Sequence, residues 1–138
     1  MSVTAIAILA VLGVIAAIAL LFLLIGFVLS VLGGWRALAA TYRAVAPPAG
    51  MPRAVRYGRV GVVNYNSALT AYVSSAGLYL RAIVLFRPSH PDLFVPWQAV
   101  VERRPARVLF FEAVELVVGQ PRIATILLPK QILDGAPV

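Results

Sequence analysis

The sequence predicts a single N-terminal transmembrane α-helix followed by a small all-β, antiparallel domain of about six strands. Three observations predict it. Met1 to Trp35 contains no charged side chain, and all twelve Lys and Arg residues come after it. From Tyr57 onward, short Val-, Leu- and aromatic-rich runs alternate with Gly and Pro turn signals. No convincing helical period separates those runs.

The span comes first. A bilayer core of about 30 Å needs roughly 20 apolar residues in a helix. Val3 to Leu32 exceeds that, which implies tilt or a short protrusion. A cleaved signal peptide has a basic start and an apolar run of about 7–15 residues. Here the start carries no Lys or Arg, and no Ala-x-Ala site closes the run. An uncleaved anchor over residues 1–34 is therefore expected. Gly13 and Gly26 stand apart and form no Gly-x-x-x-Gly pair. Small residues at Ala5, Gly13, Ala16, Ala17 and Ala19 leave room for a helix partner. The span has no ionisable side chain, so proton or ion paths are not expected in it.

Residues 35–56 read as an interfacial helix and a Pro-rich linker. Trp35, Leu38, Ala39, Tyr42 and Ala46 recur at i, i+3, i+4 and i+7 spacing. Arg36 and Arg43 each follow an aromatic residue. The pattern predicts that Trp35, Arg36, Tyr42 and Arg43 lie at the membrane interface, with rings at headgroup depth and guanidinium groups on phosphate. Pro47-Pro48-Ala49-Gly50 ends that helix.

Residues 57–138 read as the β domain. Tyr57 to Asn64 is extended. Leu69 to Val73 and Leu78 to Phe86 form a hairpin about Ser74 to Gly77. A loop with two prolines follows, Arg87 to Asp92. Phe94 to Arg104 is extended up to a break at Pro105. Val108 to Val118 is one long strand, and Arg122 to Leu128 pairs back on it. Val114, Leu116, Val117 and Val118 are apolar on both strand faces, which predicts one apolar face left wet. Trp97 and the adjacent rings Phe110 and Phe111 are the candidate partner contacts. Trp97 is read first as a core residue. Of the two phenylalanines, one must point away from the core.

The net charge is +7, and eleven of the twelve basic residues are Arg. Arg36, Arg43, Arg53, Arg56 and Arg59 cluster just past the span. That is a positive-inside signal, placing the N-terminus outside and the domain in the cytoplasm. Contact with anionic headgroups follows from it, and nucleic acid is not an expected partner. The chain has no Cys, which excludes disulfides and thiolate metal sites. His90 is the only histidine, and Asp92 is its one nearby acid, too few for a metal centre. The acids Asp92, Glu102, Glu112, Glu115 and Asp134 offer no converging pair. Glu112 and Glu115 fall on opposite strand faces, so salt bridges are the expected role. No nucleophile elbow and no phosphate-binding loop occurs. An enzyme, a cofactor and a small-molecule substrate are not expected.

The segment Gly77-Leu78-Tyr79-Leu80, the loop Phe86-Arg87-Pro88-Ser89-His90-Pro91, then Val95-Pro96-Trp97 and the Arg122 to Pro129 strand resemble a group of uncharacterised bacterial single-span membrane proteins. Their cytoplasmic part is similar to pleckstrin-homology or GRAM-type domains. The resemblance covers Trp35 to about Leu133 and implies a curled antiparallel sheet, at the bacterial inner membrane, that docks to lipid or protein. Two departures are visible. Only Lys130 to Val138 remains for the closing C-terminal helix, and the first hairpin loop carries no basic residue. The expectation is a non-catalytic accessory or scaffolding subunit of a larger integral-membrane complex. The alternative is an independent membrane-tethered adaptor.

Overall fold

Thirty consecutive residues without a charge or a proline form one helix, α1, Val3–Leu32. In the computed structural model, which describes residues 2–48, 50–134 and 136, Ser2 caps it by accepting the Ala5 amide at 3.1 Å. The first methionine, Ala49 of the linker and the end of the C-terminal tail lie outside the described residues. Gly33 closes α1, its amide donating to the Leu29 carbonyl at 2.9 Å. Gly34, at φ +87°, then turns the chain into α2, Trp35–Tyr42.

Nine strands follow: β1 Arg53–Val55, β2 Arg59–Val60, β3 Val63–Asn64, β4 Leu69–Val73, β5 Gly77–Ala82, β6 Leu93–Pro96, β7 Val100–Val108, β8 Phe111–Val118 and β9 Ala124–Pro129. They make two antiparallel sheets, ordered β1-β4-β5-β6 and β3-β2-β9-β8-β7. The four-stranded sheet turns Val55, Leu69, Ala71, Leu78, Leu80, Leu93 and Val95 inward. The five-stranded sheet supplies Val60, Val114, Leu116, Val118, Ile126 and Leu128. Alternation along each strand puts these on one face, and burying that face is the main drive to pair the sheets.

The two ends of the core are closed by different devices. Gly34 lies against the start of β9, at Ala124, and α2 packs there with Trp35 and Leu38 in the core. At the far end of β9, the short 3-10 turn Lys130–Leu133 inserts Ile132 and Leu133. The C-terminal segment therefore contributes one such turn among its described residues.

Three expectations about the strands change. Pro105 does not break the chain: it sits inside β7, opposite Val114. That strand is a sheet edge, where a missing amide donor costs no ladder bond. The expected single strand Val108 to Val118 is instead a hairpin, because Leu109 adopts φ +55° and turns the chain between β7 and β8. Val114, Leu116, Val117 and Val118, apolar on both faces of β8, are all buried. Ala113, Val117 and Leu127 point away from the core, yet they are buried. The ladder shows why: Val117 lies between Glu102 and Thr125, and Leu127 between Arg59 and Glu115. Charged residues thus stand on one side of Val117 and on both sides of Leu127, and the aliphatic stems of such side chains cover apolar surface.

Candidate interaction surfaces

Most of α1 touches nothing. Its last turns do. Gly26, Leu29, Ser30 and Gly33 recur at i, i+3, i+4 and i+7 and form the one face that meets the β domain. A Cβ built on Gly26 would lie 2.8 Å from Ser89 Oγ and 3.5 Å from Phe86 Cδ1. One built on Gly33 would lie 2.8 Å from Val63 Cγ2 and 2.9 Å from the Val60 carbonyl oxygen. Glycine at both positions lets helix and loop approach that closely. N-terminal to this face, α1 exposes its apolar side chains all round. It is long and apolar enough to cross a membrane.

Beneath the α1 contact lies an aromatic cluster of Trp35, Tyr65, Phe86 and His90. His90 is fully buried. Its Nε2 faces the Tyr65 hydroxyl at 2.8 Å, and its Nδ1 faces the Phe86 carbonyl at 3.1 Å. One tautomer satisfies both contacts: Nδ1–H donates to the carbonyl, and Nε2 accepts from Tyr65. Burial pushes the imidazole below its ordinary value of 6.5, and the bond to the Phe86 carbonyl opposes that in part. Burial likewise raises the Tyr65 hydroxyl. The Trp35 indole donates to the Pro91 carbonyl at 2.9 Å. The His-containing loop thus clamps α2 and α1 to the sheets. The imidazole has no free face for a ligand.

The interfacial set divides. Trp35 offers no ring to lipid: it is wholly buried in the domain core. Tyr42, on the same stripe, is half-buried against that core, and Arg43 bridges to Leu93 of β6. The stripe was visible in the sequence, but periodicity cannot say whether lipid or protein covers an apolar face. Gly34 decides it by folding α2 onto β6 and β9. Arg36 turns outward, with its guanidinium 5.2 Å from the ring centroid of Phe27 on α1.

The partner set divides too. Trp97 is core, 8% exposed, with its indole donating to the Ser74 carbonyl at 2.8 Å. Phe110 is 94% exposed at the tip of the β7–β8 hairpin, flanked by Leu109 at 80% and Phe111 at 58%. Phe111 rests against Tyr57, ring centroids 5.8 Å apart. The hairpin overhangs its sheet, since β9 stops opposite Ala113. An open groove of about 910 Å³ lies beside the tip, lined by Arg56, Tyr57, Phe110, Phe111 and Lys130 among others.

The sequence reading overlooked Ile83, Val84 and Leu85. They were assigned to the end of a strand, but β5 stops at Ala82 and they start a tight run of turns. Their apolar run ahead of a Pro-rich loop was the available signal.

Asp92, Glu102, Glu112 and Glu115 are tied up in ion pairs. Asp92 accepts from Arg81 Nε at 3.1 Å and also takes the Tyr79 hydroxyl. That hydroxyl is pushed up to about 12, first by burial and then by its bond to Asp92. Arg104 spans Glu102 at 2.9 Å and Glu115 at 3.6 Å, and Lys130 reaches Glu112 at 3.4 Å. Among the described residues, no three His, Asp or Glu side chains converge on one point. No protein family, curated protein or solved structure matches this chain.

Proposed function

We propose that this chain is a non-catalytic accessory subunit of a larger integral-membrane complex. It is anchored by α1 across the bilayer and presents the β domain to its partners on the cytoplasmic face. The observation that carries the reading is the bare Leu109-Phe110-Phe111 tip on an overhanging hairpin. Three consecutive large apolar residues at a turn lose stabilisation in water and regain it against another protein. Burying a ring of that kind is worth about 1.5–3 kcal/mol.

The anchor reading has its own support. The last turns of α1 are built into the domain through Gly26, Ser30 and Gly33. A segment discarded after export has no reason to fit there. Arg36, Arg43, Arg53, Arg56 and Arg59 are all exposed past the span, where a positive-inside signal belongs.

The test is site-specific photocrosslinking from position 110 in intact membranes, with native gels after gentle solubilisation. Crosslinks to an integral-membrane protein, comigration with it, and loss of comigration in Phe110→Ser support the reading. The rival, a tethered adaptor, gives a free monomer whose crosslinks fall on a soluble protein. An uncrosslinked monomer indifferent to Phe110→Ser removes both.

A further inference from the structure

Among the described residues, the apolar knuckle Ile83-Val84-Leu85 is exposed. Val84 is 70% exposed and Leu85 55%. The knuckle is not a loose loop. Successive turn bonds hold it: Phe86 N–H to the Ile83 carbonyl, Arg87 N–H to the Val84 carbonyl, and His90 N–H to the Phe86 carbonyl. The Arg87 side chain also donates back to the Ala82 carbonyl at 3.0 Å.

Its height along α1 is fixed by contact. Phe86 and Ser89, within the same run of turns, meet α1 at Gly26. The Arg36 guanidinium meets α1 one residue further on, at Phe27. A guanidinium stays at headgroup depth, not among acyl chains. Val3 to Gly26 measures about 35 Å at the helical rise, enough to cross a core of about 30 Å. With α1 crossing the bilayer, the hydrocarbon boundary on this side falls near Gly26 and Phe27, where Phe86, the residue next to the knuckle, meets the helix.

We propose that Ile83, Val84 and Leu85 form a second membrane contact, inserted into the headgroup–acyl boundary of the leaflet beside α1. The occupant of this apolar surface is lipid. The contact of the adjoining Phe86 with α1 and the depth marked by Arg36 both select it. The inference rests on α1 crossing the bilayer. It adds that the β domain is held at two points and so has a fixed pose on the membrane.

The absence of cysteine makes the test direct. Single-cysteine variants Val84→Cys, Ile15→Cys and Phe110→Cys of the full chain are labelled with an environment-sensitive fluorophore. Each is reconstituted in vesicles of phosphatidylethanolamine and phosphatidylglycerol carrying brominated acyl chains, brominated either near the headgroup or near the chain end. The expected result is strong quenching at position 84 by the shallow bromines, at position 15 by the deep ones, and none at position 110. Quenching at position 15 with a water-like probe at position 84 overturns the second contact and leaves the span intact. No quenching at position 15 overturns the span, and the second contact with it. Far-ultraviolet circular dichroism on each variant confirms that the β domain is folded.

Discussion

The imidazole of His90 meets Tyr65 on one side and a backbone carbonyl on the other; accepting from Tyr65 needs the ring neutral, while donating to the carbonyl is open to either state. In the unfolded chain it titrates at its ordinary value, so as pH falls below about 6.5 the unfolded state takes up a proton that the fold refuses. Its depressed folded value therefore makes stability flat above that pH and falling below it. The loss stops once the folded imidazole itself protonates. Denaturant midpoints in micelles between about pH 8 and about pH 5 should decline by this route. As the only histidine, His90 is the source of any slope near its own titration. His90→Gln should flatten the curve, and a slope unchanged in that variant rejects the account. Tyr65→Phe removes the donor and leaves a buried acceptor unpaired, a cost of about 1–3 kcal/mol.

Between elements, the joint of α1 with the β2–β3 turn carries the most strain-sensitive contact. Gly61 sits at φ +61°, and a Cβ there would collide with the Gly33 carbonyl at the end of α1. Gly61→Ala should cost about 3 kcal/mol or more, combining the left-handed penalty with the clash. Gly13 has open space around it, so Gly13→Ala is the matched control and should be close to neutral. Equal unfolding midpoints for the two variants contradict the docked geometry. Much at this scale was legible in the sequence: the long apolar helix α1, the Ser74–Gly77 hairpin turn and the returning strand β9 follow from hydrophobic run length, turn residues and alternation. Tertiary choice hid the rest. The Trp35–Tyr42 stripe told of a covered face without naming the cover. Pro105 looked like a breaker because its edge position is a property of the sheet, not of its neighbours. Phe110 and Phe111 read as strand neighbours with one ring outward, whereas both are exposed, since a turn at Leu109-Phe110 has none of the usual Gly, Asn or Pro signals.

For the molecule as a whole, charge and packing make one argument about sidedness. Every basic residue follows α1, and the β domain is packed onto the last turns of that helix. Moving the domain across would carry eleven Arg and one Lys through the bilayer, against the rule that cytoplasmic segments retain them. The N-terminal end has no charged side chain to hold it back. The prediction is an outside N-terminus and an inside domain. Ser2→Cys and Ser75→Cys, at the helix start and in the β4–β5 turn, should report it with a membrane-impermeant maleimide. Intact cells should label only position 2, and inside-out vesicles only position 75. Labelling of position 75 in intact cells would put the domain outside, remove the cytoplasmic reading and leave the exposed hairpin tip facing a different set of partners.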